Sequence, residues 1–160
     1  MERAFRVSLI GDDAAPQGWA VFCAVARAAG RCLFYKERVD FLLGGDAAFI
    51  RAAAAAVRCA NKERPGTTAR LFLLLPAAGE ADDCPDDACF DDDCPLDGIE
   101  RIPTVPGGAL PEHLRTAVDR ADACLFYMTV PMRDTRAAMT YAAAAQKPLC
   151  NLADDFLPRG

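Results

Sequence analysis

The stretch "DFLLGGDAAFIRAAAAAVRCANK" (residues 40–62) decides the fold. Val39 to Leu43 is a short strand, apolar on both faces, which is the signature of a parallel strand covered on both sides. Asp46 to about Lys62 is a helix, because it is dominated by the best helix former and starts at a residue type favoured at the N-cap. Between them stands Gly44-Gly45-Asp46. Two readings of that junction are open. Glycine removes the Cβ and lets a phosphate or a ribose approach backbone N–H groups at a helix N-terminus. Alternatively, the glycines make a tight turn and Asp46 caps the helix. No third glycine follows, so this is not the dinucleotide fingerprint.

The same strand–turn–helix alternation extends in both directions. Residues 4–10 (AFRVSLI) form a first strand ended by Gly11-Asp12-Asp13. Trp19, Phe22, Ala26, Ala29 and Leu33 then recur at helical spacing. Gly30 interrupts this helix, which ends there or continues to about Lys36. After Pro65-Gly66, Arg70 to Leu75 (RLFLLL) is a third buried strand, ended by Pro76. A short Ile99–Ile102 piece, a helix from Pro111 to about Arg120, a core strand from Ala123 to Val130, an alanine-rich helix from Met132 to Gln146 and a last strand from Pro148 to Leu152 complete the chain. Strict alternation implies parallel strands joined by right-handed crossovers. The expected fold is therefore α/β, a three-layer, Rossmann-like sandwich with a mainly parallel sheet of about five strands. In such sheets ligands bind beyond the carboxyl ends of the strands, at the point where strand order reverses.

The bulk properties agree with one domain. The chain has 160 residues, 52% hydrophobic and 26% charged, so residues 1–160 are expected to form one unit. No apolar stretch approaches the ~18–20 residues a membrane span needs. The segment MERAFRVSLIGDD lacks a signal-peptide layout, and a cytoplasmic location is expected. The net charge is −5, but residues 80–97 alone carry nine acidic groups and no basic one. The rest of the chain is mildly basic, with 14 acids against 18 bases. That suits a small anionic ligand and argues against a nucleic-acid partner, which calls for a concentrated basic stripe. Most of the eight cysteines sit in apolar segments (Cys23, Cys59, Cys124, Cys150), and are expected to be buried free thiols.

Topology selects the candidate ligand residues: Gly11 and Asp12 after the first strand, Gly44, Gly45 and Asp46 after the second, and Thr129, Arg133, Asp134 and Thr135 around the start of the last helix. Asp12 and Asp13 suit the dipole at a helix start; they repel phosphate but can accept hydrogen bonds from ribose hydroxyls. Arg133 can pair with an anion; the alternative is an ordinary first turn capped by Asp134 or Thr135. Cys84, Cys89 and Cys94 are spaced five apart among aspartates. Structural zinc favours four ligands with one close cysteine pair, so an acidic loop at about 79–98 is the simpler reading. His113, the single histidine, is expected on a helix surface.

The later segments "RADACLFYMTVP" and "RDTRAAMTYAAAAQKPLCNLA", taken with "DFLLGGDAAFIRAA" and "RLFLLLP", resemble the SLOG superfamily. These are Rossmann-like nucleotide-binding domains that include YpsA-like proteins and the cytokinin-activating LOG phosphoribohydrolases. Thr135, Ala138, Tyr141, Ala142, Lys147, Pro148, Asn151 and Leu152 fall at that family's spacing. The resemblance implies a nucleotide or nucleotide-derived ligand at the rim, with phosphates near Gly45 and Arg133 and ribose hydroxyls on Asp12 or Asp46. It also allows a homodimer.

The departures bear on chemistry. The family's glycine pair before the threonine is Arg133-Asp134 here. Three residues after Thr135, where the LOG enzymes carry a glutamate, stands Ala138, and no glutamate occurs between Arg133 and Leu152. Cleavage of an N-glycosidic bond needs a carboxylate, by analogy with glycoside hydrolysis. Only Asp12, Asp13, Asp46 or Asp134 can stand in, none at the family's position. The first expectation is therefore a binder, sensor or carrier without catalysis. The alternatives are a divergent nucleoside-monophosphate phosphoribohydrolase, and a metal-binding or interaction module acting through the acidic loop.

Overall fold

The computed structural model describes residues 3–11, 18–77, 96–103, 110–129 and 133–153. In chain order the elements are β1 (Phe5–Gly11), α1 (Gly18–Tyr35), β2 (Arg38–Gly45), α2 (Ala47–Lys62), β3 (Thr68–Pro76), β4 (Gly98–Ile102), α3 (Glu112–Arg120), β5 (Ala123–Tyr127), α4 (Arg133–Ala144) and β6 (Leu149–Asn151). The six strands form one sheet in the order β4-β3-β2-β1-β5-β6, and every pairing is parallel.

The two-residue period of the strands builds two cores. Val7 and Leu9 of β1, Phe41 and Leu43 of β2, and Leu71 and Leu73 of β3 point to one side, where they pack with buried residues of α1 and α2. Ile10, Leu42, Leu74, Cys124 and Phe126 point to the other, against Leu114, Ala117 and Val118 of α3 and Ala138 and Ala142 of α4. The result is the three-layer α/β sandwich that the alternation predicts. The layer assignment follows from handedness. Right-handed crossovers moving outward from β1 to β3 put α1 and α2 on one face, and the return from β4 to β5 and β6 puts α3 and α4 on the other.

Two features differ from the sequence reading, and a third decides between alternatives it left open. The sheet has six strands rather than about five, because the Ile99–Ile102 piece begins at Gly98 and pairs fully with β3. As an edge strand carrying Glu100 and Arg101 it lacks the apolar run that marks a buried strand, and charge on an edge also discourages pairing with other chains. Helix α1 runs through Gly30 to Tyr35. Ala28, Ala29 and Leu33 are buried around that glycine, and their packing outweighs its intrinsic cost of about 1 kcal/mol. The five described cysteines are free thiols, but only Cys124 is buried; Cys23, Cys32 and Cys59 are half-buried and Cys150 is exposed. Cys150 lies in a three-residue strand with little cover, where an apolar sequence does not guarantee burial. Among the described residues, no helix is long and apolar enough to cross a membrane.

Candidate functional site

Strand order reverses between β1 and β5, so the switch point of this sheet lies beyond Gly11 and Tyr127, which are register partners at the ends of those strands. Helices α2 and α4 both begin at this edge. The first N–H groups of each helix have no partner within it, and the helix dipole makes both starts weakly positive.

The glycine junction is answered mainly by the chain's own packing. A Cβ on Gly45 would lie 2.0 Å from the carbonyl oxygen of Gly11, and Gly45 has φ +113°. A Cβ on Gly11 would lie 2.5 Å from the Phe49 ring, and one on Gly44 2.8 Å from Cδ2 of Leu114. The Asp46 N–H donates to the Gly11 carbonyl at 3.1 Å, which ties the ends of β1 and β2 together. Asp46 occupies the N-cap of α2 with extended backbone but makes no side-chain capping hydrogen bond. Its carboxylate is exposed at the rim. The capping reading thus holds for its position but not for its side chain.

Across the reversal point, Thr129, Arg133 and Asp134 are exposed, whereas Thr135 is buried in the first turn of α4. Residues 128 and 129 are approached by an unusual clasp. The Met128 N–H donates to Oδ1 of Asn151 at 3.0 Å, and Nδ2 of Asn151 donates back to the Met128 carbonyl at 2.9 Å. The asparagine side chain imitates a neighbouring strand where β5 ends, and so fixes how the chain leaves the sheet toward Thr129. Lys147 donates to the carbonyls of Ala121 at 2.8 Å and Asp119 at 3.3 Å, closing the end of α3. The Tyr141 hydroxyl donates to Asp119 at 2.7 Å. Ala138 and Ala142 are fully buried beneath α4. Lys147, Tyr141, Ala138, Ala142 and Asn151 therefore have structural duties that account for their spacing without a ligand. Asp12, with its neighbour Asp13, and the three cysteines Cys84, Cys89 and Cys94 lie outside the described residues. Among the described residues no group of three or more His, Cys, Asp or Glu side chains is placed to hold a metal ion.

One residue at this edge is more enclosed than the sequence reading expects. His113 belongs to the first turn of α3, next to Leu114, which covers Gly44. It is half-buried rather than a surface residue, and its Nδ1 is buried with no hydrogen-bond partner among the described residues. Burial holds its pKa below the ordinary histidine value, while the nearby Asp134 of α4 opposes that shift. The signal available in sequence was its position one residue before the buried stripe Leu114-Ala117-Val118.

A stability consequence follows. The unfolded chain binds the imidazole proton first as pH falls through about 6.5, so the fold loses stability on acidification until His113 is also charged in the folded state. His113→Gln is expected to flatten the melting temperature's dependence on pH between about 7 and about 5.5. Identical slopes for the two proteins would mean that His113 is charged as easily in the fold as outside it.

Neither a family model nor a curated protein matches the chain in sequence. Its structure is similar to that of the molybdenum cofactor carrier protein MCP from Chlamydomonas reinhardtii, with a TM-score of 0.58 and 16% identity, over 92% of this chain and 75% of that one. At this identity the likeness establishes the fold alone, which is Rossmann-like.

Proposed function

We propose that this chain is a divergent SLOG-type domain that binds a nucleotide or nucleotide-derived small molecule at the carboxyl edge of its sheet, as a carrier or sensor. The observation that carries the reading is the reversal of strand order between β1 and β5, with the N-termini of α2 and α4 at the same edge of the sheet. Doubly wound sheets bind ligands at such points. The first-turn N–H groups of α2 and α4 suit phosphate, and the exposed Arg133 suits its charge. Asp46 suits a ribose hydroxyl, a role that Asp12 shares in this proposal. Gly11, Gly44 and Gly45 contribute backbone, Thr129 a hydroxyl, and Asp134 and Thr135 the turn that carries Arg133. A carrier role is further supported by the similar fold of a protein named as a cofactor carrier.

The test is a thermal-shift panel of ADP-ribose, NAD and purine mononucleotides, with the molybdenum cofactor as a separate arm. A true ligand at a hundredfold excess over its Kd stabilises the protein by about 2.7 kcal/mol. Arg133→Ala is expected to weaken a phosphate-bearing ligand by about tenfold or more, the usual scale of a lost charge-assisted hydrogen bond. No shift with any member of the panel removes the proposal.

A further inference from the structure

A cavity lies away from the rim, on the α3/α4 face toward the amino ends of β1 to β4. Its origin is a shortage of cover. A helix is about 10 Å wide and strands are about 4.8 Å apart, so α3 and α4 together shield about four of the six strands. The remainder of that face is a cleft of about 510 Å³, within the range of roughly 300–1,000 Å³ typical of small-molecule sites.

The cleft is unlike a bare sheet face, because its charges are ordered and do not cancel. Asp40 is 5% exposed and receives two hydrogen bonds from Arg70, from Nε and Nη2, each at 2.8 Å. The Arg70 guanidinium also lies 5.2 Å from the centre of the Phe72 ring. Arg120 makes a bidentate pair with Glu100. Three arginines thus face two carboxylates, and the unmatched one is Arg6. Its backbone N–H is held by Asp122 at 2.9 Å, but its guanidinium has no partner among the described residues. Between these groups, Leu42, Phe72 and Leu74 give the cleft an apolar floor. Gly98 leaves room for the Phe72 ring, which a Cβ there would meet at 2.9 Å.

We propose that this cleft is a binding site for a small planar organic monoanion, an aromatic carboxylate, with its acid group on Arg6 and its ring on the Leu42–Phe72–Leu74 floor. The two internal ion pairs fix the walls and leave one positive charge for the ligand. A dianion would exceed that charge, and a neutral aromatic would leave Arg6 unmatched. The floor begins one strand from Arg6, at Leu42 on β2, and reaches Phe72 and Leu74 on β3, two strand spacings or about 10 Å away, which a two-ring carboxylate spans. This site is independent of the rim.

The experiment is an NMR titration of the whole chain with 2-naphthoate and with its uncharged counterpart 2-naphthamide. Naphthoate is expected to shift the Arg6 Nε–H and Gly98 amide signals saturably and to leave the Gly11 and Gly45 amides in place. Naphthamide is expected to bind at least about tenfold more weakly, equivalent to about 1.4 kcal/mol. Arg6→Gln reproduces that loss, Arg6→Lys restores part of it, and Phe72→Leu weakens both ligands. The proposal is overturned if acid and amide bind equally, if Arg6→Gln binds naphthoate as well as the parent, or if no saturable shift occurs. It is also overturned if the chain is a dimer whose interface protects Gly98 and Arg6, since a second copy would then be the occupant.

Discussion

Gly45→Ala is expected to lower the melting temperature by roughly 8–16 °C, the effect of about 4 kcal/mol in a chain of this size. Two costs add. The backbone at φ +113° is a region that a side chain enters only at about 1–3 kcal/mol. The new Cβ would also stand 2.0 Å from the Gly11 carbonyl oxygen. That oxygen is held by the Asp46 N–H at the seam of β1 and β2, so relief means separating two central strand ends, an overpacking cost of about 1–3 kcal/mol. Gly66 provides the control. It has φ +90° but nothing within 4 Å of an added Cβ, so Gly66→Ala carries the backbone strain without the collision. Thermal melts of the two variants separate the terms. Equal losses would show that the collision is relieved at no cost, and a Gly45→Ala loss below about 1 kcal/mol would contradict the packing explanation. The result also guides tests of binding. Because Gly45 is required by its own chain, a Gly45 variant that fails to bind a nucleotide says little about contact, whereas Arg133, exposed at the start of α4, can be removed without disturbing the seam.

Much of this architecture is legible in the sequence, for an identifiable reason. Strands buried on both faces must be apolar throughout, and helices between them must be long enough to cross back. Val39–Leu43, Arg70–Leu75 and the alanine-rich segment after Asp46 therefore declare their class locally, and the layers follow from chirality. The carboxyl edge of the sheet follows from the same logic, whereas the point of reversal between β1 and β5 comes from the strand pairing. What could not be read depends on contacts between distant segments. The glycines at 11, 44 and 45 look alike as letters, yet one makes room for Phe49, one for Leu114 and one for a carbonyl. His113 lies at the margin of α3's buried stripe, and its sequence neighbours do not show that its Nδ1 is enclosed. The fitting of Asn151 to Met128 joins residues 23 apart, and nothing local to either predicts it. The pairing of Asp40 with Arg70 did leave a trace. Arg70 is the single charge within β3 and Asp40 the single acid within β2, and each stands two residues before a large apolar residue on the same face, Leu42 and Phe72. Once β2 and β3 are aligned in parallel, Asp40 and Arg70 become register partners.

That pair gives the second large effect. Arg70→Ala is expected to cost about 3 kcal/mol, the lower end of the range for stripping one partner from a buried ion pair. The asymmetry of the pair sets the size and sign of the two single substitutions. Asp40 has 7% of its side chain exposed, against 43% for Arg70. Without the guanidinium, the carboxylate is left charged in a low-dielectric strand interior and loses two charge-assisted hydrogen bonds. The open cleft above it admits some water, which keeps the cost from the top of the range. Asp40→Asn presents the opposite case. The arginine retains access to solvent and to the Phe72 ring, while the amide fills the same volume, so a loss of about 1 kcal/mol is expected, the scale of a hydrogen bond weakened by neutralising its acceptor. Urea melts at neutral pH measure both costs. Equal costs for the two variants would mean that Asp40 is solvated well enough to do without its arginine.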